Sequence, residues 1–509
     1  MAEEEKYIEI EIEDIKDTLI PRPWPVTPPR KKEEIYAPWV KDPRDPEGAY
    51  ARFTEGEEDG LGITWEKAEG KPWALDGFVV IECSLWDFNA SFCASNLAEL
   101  GAKVIKIEPP EGGDPLRHLY PFGREEYAFE DIYTGEKVSP TFLHENRNKF
   151  SVCIDLEKEK GRELLKSLVT KADVLIENYP PGQFDEWGIG YRQLSKINPR
   201  LVYCWIGQLG QWGPMKDKVS KFGQPMIDPI GLSCSEYVHS TGFPPDQLPR
   251  EKGGNPTRCG EWMGSYACGI HAAVAILVAL YYRDTVSNRG QFIEITNAEA
   301  YMEVNDFNIS WYGLNGSIKA RTGGWDPCLN QYAWNPCKDG YMMIGGQTDR
   351  LWYRIIQVIG MDFPEGARLI AEDPFLKEMG ARNALEGLAK TYTITAQWLA
   401  DNNRAEAEKK LVAREVAAAP VLYPDEVAEY EQFIYRRHVT EVYDEHYGRV
   451  LVSNSPLAHQ HRAPARVKWL GRPLGLDTAE ILKYYCGLGP EDLKQLALEG
   501  VVKWYHEYE

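Results

Sequence analysis

Short apolar runs separated by helix-length segments fill residues 75–207, and this alternation restricts the fold more than any other feature of the chain. Leu75-Asp76-Gly77-Phe78-Val79-Val80-Ile81-Glu82 reads as a strand, Cys93–Gly101 as a helix and Val104-Ile105-Lys106-Ile107-Glu108 as a second strand. Strand, helix and strand within about thirty residues make a βαβ unit. The pattern repeats through strand Ser151–Leu156, helix Gly161–Lys171, strand Val174–Glu177, loop Asn178–Gly182, helix Tyr191–Asn198 and strand Leu201–Gly207. Runs such as Val174-Leu175-Ile176 have no polar alternation, as expected of strands covered on both faces. An α/β fold follows, with a Rossmann-like parallel sheet in the large domain.

The rest of the chain divides around that frame. Residues 1–72 are rich in Pro, Glu, Lys and aromatics with little periodicity, and read as an N-terminal extension of unassigned role. Residues 73–320 form the large α/β domain, closed by the strand Gln291–Thr296. A crossing at Arg321-Thr322-Gly323-Gly324-Trp325 leads into a smaller α+β domain, 321–425, with elements at Tyr341–Gly345, Leu351–Ile359 and helices within 375–415. Residues 426–509 carry strand-like Gly448–Val452 and a closing helix Pro490–Gly500, and return to the large domain.

At 509 residues the chain exceeds one ordinary core, so two or more domains are expected. Its 78 acidic and 57 basic residues give a formal net charge of -21, which leaves no electrostatic footprint for nucleic acid. A polyanionic ligand must then meet a local cluster of cations. Ten cysteines lie scattered, with no Cys-x-x-Cys pair and no Cys/His grouping of metal-ligand spacing, so reduced thiols and no metal are expected. The acidic start lacks a secretory pattern, and cytoplasmic residence is the default.

The segment 266–282 is apolar almost all round and reads as a helix buried in a large core. His271 interrupts it, and the run falls short of the roughly 20 residues that span a bilayer. Just ahead stands Glu261, in Arg258-Cys259-Gly260-Glu261-Trp262-Met263-Gly264-Ser265. A carboxylate at that helix mouth is favoured by the dipole and by free backbone amides, either as a plain cap or as a reactive group.

Several segments together resemble the class III CoA-transferases, which include formyl-CoA:oxalate and carnitine CoA-transferases and the α-methylacyl-CoA racemases. They are Leu100-Gly101-Ala102-Lys103-Val104-Ile105-Lys106-Ile107-Glu108-Pro109-Pro110, Gly112-Gly113-Asp114-Pro115-Leu116-Arg117, Asn146-Arg147-Asn148-Lys149, Ala172-Asp173-Val174-Leu175-Ile176-Glu177-Asn178, Asn198-Pro199-Arg200-Leu201-Val202-Tyr203 and Cys486-Gly487-Leu488-Gly489. The likeness runs over about 73–503. It implies an acyl-CoA substrate, no metal, and a nucleophilic carboxylate at the place of Glu261, where relatives carry Asp. It also implies that Lys106, Arg117, Asn146, Arg147 and Lys149 lie around the CoA, whose phosphates call for fixed cations.

Within the turn Trp86–Ser91, Phe88 and Asn89 fall where relatives contact the acyl group, which suggests an apolar acyl pocket for a bulky or aromatic acid, unless Phe88 simply packs. Thr322-Gly323-Gly324 matches a mobile glycine loop of relatives, or is a plain interdomain turn. A racemase would need a histidine near 222–225, which here reads Phe222-Gly223-Gln224-Pro225, so racemisation is disfavoured. The resemblance further implies a ring-shaped subunit in an interlocked dimer. A non-catalytic subunit paired with a homologous, Asp-bearing one is the competing expectation, and neither nucleic acid nor membrane is expected as a partner.

Overall fold

The computed structural model describes residues 70–505 except 217–227, 244–253, 255, 259, 261, 306, 327 and 374–375. It separates into two compact units. The larger comprises described residues up to Thr241, then Thr257–Lys319, then 431 onward; the smaller comprises Ala320–Tyr430 and part of 242–256.

The larger unit is built on β1 (Val79–Cys83), α1 (Phe88–Glu99), β2 (Lys103–Glu108), β3 (Lys149–Ile154), α2 (Glu159–Val169), β4 (Val174–Glu177), α3 (Tyr191–Ile197), β5 (Val202–Gly207), α4 (Pro229–Cys234), α5 (Met263–Tyr282) and β6 (Phe292–Thr296). Strand order is β3-β2-β1-β4-β5-β6, all parallel, with a short antiparallel strand Val502–Lys503 beside β3. That is the classic dinucleotide-fold order, in which the chain reverses direction across the sheet between β1 and β4.

Each face of the sheet carries helices, for the reason visible in the strand sequences: an all-apolar run such as Val174-Leu175-Ile176 needs cover on both sides. Ile81, Ile105, Leu175 and Tyr203 pack with Leu165, Leu168 and Leu194 of α2 and α3, joined by Leu482 and Leu493 from the C-terminal helices. Val80, Val104, Ile176 and Ile206 point the other way, into α1 and α5. The C-terminal segment thus returns to the large unit through Tyr505 and the strand Val502–Lys503.

The sequence reading of α5 is corrected in two respects. The helix starts at Met263, runs 20 residues and continues through a π turn, Arg283–Ser287, so by length and composition the 25-residue element is able to cross a membrane. It is also not buried all round. Gly264, Cys268, Ala272, Ile276 and Ala279 face the core, while Ile270 (51 % exposed), Val274 (55 %), Val278 (60 %) and Tyr281 (71 %) form an outward apolar stripe. Uniform apolarity hid the two faces, because a hydropathy pattern cannot separate a face packed on its own sheet from one left for another surface.

In the smaller unit, antiparallel strands β7 (Tyr332–Cys337), β8 (Gly340–Gly345) and β9 (Ala417–Pro420) lie in the order β9-β8-β7. Trp352, Ile355, Trp398 and Leu399, from helices Asp349–Asp362 and Leu385–Ala400, cover that sheet.

Candidate active site

In parallel sheets ligands dock at the carboxyl ends of the strands, where the order reverses. There the loops after β1 and β4 are tied reciprocally: Leu85 N–H donates to Asn178 Oδ1 and Asn178 Nδ2 donates to Leu85 O, both at 3.0 Å. Beside them opens a cleft of about 860 Å³, lined by Leu85, Pro109–Gly112, Asp155–Lys158, Tyr179 and Lys503. The volume suits a cofactor-sized molecule. Its cations are Lys158 and Lys503.

The five residues expected around CoA are instead buried and tied to partners of their own. Lys106 is paired with Glu82 and Asp114, each at 2.9 Å, and the register of β1 and β2 sets Glu82 directly opposite Lys106. Lys149 reaches the other oxygen of Glu82 at 2.8 Å and Asn146 Oδ1 at 3.0 Å. Arg117 holds Glu108 through two bonds of 2.8 and 2.7 Å, and Arg147 meets Glu99 at 2.7 Å. All are at least 95 % buried, and none lines the cleft.

Burial would push the Glu82 carboxyl up, but Lys106 and Lys149 outweigh it and hold it down at about 2. Burial wins at Lys149, lowering it to about 8 against the attraction of Glu82. A strand interior that must take a charged pair does so only when each partner is matched, which accounts for the spacing of these residues as well as a ligand would.

Phe88 is buried, its ring 4.7 Å from that of Trp262, and packs with Leu116, Phe142 and Leu470. Asn89 is buried too. Gly323 and Gly324 belong to the smaller unit, where Gly323 N–H donates to Gly242 O and Gly324 O accepts from Trp334 N–H, each at 3.0 Å. His271 turns back to Ala267 O of its own helix at 2.8 Å. Glu261, like 222–225 and the extension up to residue 69, lies outside the described residues.

What the structure does place at the mouth of α5 is a pair of buried aspartates that the sequence reading had not singled out. Asp228 Oδ1 accepts from Ser265 N–H at 2.6 Å and lies 3.2 Å from Ser265 Oγ. Asp87 Oδ1 accepts from the same Ser265 hydroxyl at 2.5 Å, and Asp87 Oδ2 accepts from Gln208 Nε2 at 2.5 Å and Asn89 Nδ2 at 3.2 Å. Burial, reinforced by the charge of Asp228, pushes Asp87 up to about 7 despite the Ser265 and Asn89 bonds; burial likewise raises Asp228.

Local sequence concealed both acids, since Asp87 reads as the cap of α1 and Asp228 before Pro229 reads as the cap of α4. Asp87 does accept from Asn89 N–H, but Asp228 makes no side-chain cap to α4 and serves α5 instead. A usable signal was the start of α5, where Trp262 occupies the N-cap and offers no acceptor, so that an oxygen had to come from elsewhere.

Residues 75–478 match the family model described as CoA-transferase family III. The chain belongs to that family. Over 432 residues it is 31% identical to succinyl-CoA–D-citramalate CoA-transferase of Chloroflexus aurantiacus, covering 85% of this chain and 98% of the relative. The alpha and beta subunits of succinyl-CoA–L-malate CoA-transferase from the same organism are 30% and 29% identical, each over 81% of this chain and over 89% and 94% of their own lengths. Among solved structures, a CAIB/BAIF family protein of Brucella suis superposes with a TM-score of 0.68 at 25% identity, covering 82% of this chain and all of that one. The class III resemblance read from the motifs is therefore correct, and acyl-CoA is the substrate on which this family acts.

Proposed function

We propose that the protein transfers CoA from an acyl-CoA donor to a carboxylic acid, the acyl group and then CoA being carried on a carboxylate of the chain near the start of α5. The match of residues 75–478 to CoA-transferase family III carries this reading. The relatives named above share succinyl-CoA as donor, which supports succinyl-CoA here and a small dicarboxylic acid such as D-citramalate or L-malate as acceptor. The buried packing of Phe88 gives no support to a bulky or aromatic acceptor. CoA fits the cleft after β1, β2 and β4 by volume, with Lys158 and Lys503 as phosphate partners.

The test is transfer of CoA from succinyl-CoA to a panel of mono- and dicarboxylic acids by the purified protein. New acyl-CoA with at least one acid is the expected result; no transfer with any acid by a folded protein would sink the reading.

A second reading is that the chain is one subunit of a heteromeric transferase, supported by the likeness to both subunits of the malate enzyme. Either way we expect an oligomer, in which the apolar stripe of α5 is covered. Co-purification of a homologous second chain would favour the heteromer, and a single species of twice the mass the homodimer.

A further inference from the structure

We infer that the acidic run Glu55-Gly56-Glu57-Glu58-Asp59 of the N-terminal extension docks, within its own chain, on a patch of alternating cations and aromatic rings at the amino ends of β2 and β3. The patch is built from side chains far apart in sequence. Lys103, the first residue of β2, stands over the rings of Phe150, Tyr484 and Tyr485 at 5.9, 5.6 and 5.8 Å. Lys171, just past α2, lies 5.7 and 5.6 Å from the same two tyrosines. Phe150 carries the surface on to Trp469 at 5.5 Å, with the Arg472 guanidinium against both rings. Next in sequence to Trp469, Lys468 stands 4.7 Å from the Trp73 ring, which the Arg466 guanidinium faces at 3.9 Å.

Five cations thus share one surface of a chain whose formal net charge is -21. Arg472 is neutralised by Asp477 at 2.6 Å. Lys103, Lys171 and Lys468 are exposed and make no ion pair among the described residues. The rings hold these ammonium groups in place without cancelling their charge. An anion that meets cations already held in position loses less freedom in binding them than it would on mobile lysines. Core packing accounts for Phe150 and Tyr485, which touch the cluster beneath the sheet, but not for Tyr484, which is 70 % exposed between two lysines.

The occupant follows from where the chain comes in. Gly70 lies three residues from Trp73, Lys71 Nζ donates to His461 O at 3.0 Å, and Arg466 Nη2 donates to Lys71 O at 2.7 Å. Gly101 seats this entry on the patch: a Cβ there would lie 2.3 Å from Trp73 Cβ, so the tryptophan is pressed onto the turn that leads into Lys103. Residues 53–69 carry six carboxylates and a single cation, Lys67. Asp59 stands 11 residues before Gly70, a stretch that reaches at most about 40 Å when extended and so spans the patch. Tethered at the edge, the acidic run meets the cations at an effective concentration that no free anion matches. The family match begins at residue 75, so the run lies outside what the relatives share.

The test is carbodiimide cross-linking, which joins a carboxylate only to an amine in direct contact. It is applied to the full-length protein as an equal mixture of ordinary and heavy-nitrogen-labelled chains, and the links are read by peptide mass spectrometry. Expected are amide links from the tryptic peptide Phe53–Lys67 to Lys103, Lys171 or Lys468, confined to one isotope class and weakened on the order of tenfold in high salt. Lys103→Glu with Lys171→Glu lowers the yield at those two positions on the order of tenfold, and adding Glu57→Lys with Glu58→Lys restores links there with the charges exchanged. That rescue separates lost docking from lost fold. Links between chains of different isotope class would place a second copy's run on the patch and overturn docking within the chain. Links from these lysines only to other carboxylates or to a co-purifying chain, or no link at all, overturn the inference outright.

Discussion

Arg117 is where one side chain decides most. Its guanidinium grips Glu108 bidentately, stacks 4.0 Å from the Phe142 ring and bonds the Arg472 carbonyl at 3.0 Å, all at full burial. Burial would raise Glu108, but Arg117 and Lys106 overcome it and hold the carboxyl below its usual range. Arg117→Met leaves that charge without its partner, so a loss of about 3–5 kcal/mol in urea unfolding is expected, and the double change with Glu108→Met recovers most of it. An equal loss in single and double variants would contradict the pairing account.

Glu177 has the opposite balance, since burial pushes it up to about 8 despite bonds from Tyr203 Oη and Tyr179 N–H. The folded chain then keeps a proton that the unfolded chain gives up near the ordinary value of 4.5. Stability from this group is therefore full at low pH and declines as pH rises from 4.5 to 8. Glu177→Gln should flatten that decline in melting temperature measured across pH 5–9; a slope identical to wild type would count against it. None of these acids stood out in the sequence, where Glu177 is merely the polar end of a strand; its side-chain partner, Tyr203, is 26 positions away.

At the scale of elements, the contact of α1 with α5 organises the site. Gly269 lets the two backbones meet: a Cβ there would lie 2.7 Å from Asn89 O and 3.2 Å from Cys93 N, atoms that cannot rotate aside. Gly269→Ala is expected to cost about 1–3 kcal/mol and to lower transfer activity along with stability, since Asn89 also bonds Asp87. Thermal melts and assays on the same samples test the coupling; full activity in a destabilised variant would break it.

Elements themselves were read well. Strands at Val174–Glu177 and Val202–Gly207 and the helix at Tyr191–Ile197 fall within a residue or two of their expected places, because period and composition report burial locally. The start of α5 was misjudged by three residues for lack of a capping side chain at Trp262.

At the scale of the molecule, the outward stripe Ile270, Val274, Val278 and Tyr281 is too apolar to be left to water over about three helical turns. Val274→Asp with Val278→Asp should shift the protein to a smaller species in light scattering after size exclusion, while the intact chain runs as an oligomer. If both run at the same mass, the stripe is not the interface.

The amino-acid sequence by itself determined the layered parallel sheet, the family and the smaller α+β unit, since strand periodicity and the quoted motifs depend on near neighbours. Only tertiary structure decided which charges meet. Lys106 and Arg117 read as cations for a ligand until the sheet register set Glu82 opposite Lys106 and the turn after β2 folded Arg117 back onto Glu108. Asp87 and Asp228 read as caps of two separate helices until packing brought both to Ser265, 178 and 37 residues away. Burial and long-range pairing set the energy of a charge, and neither is a property of a residue's neighbours along the chain.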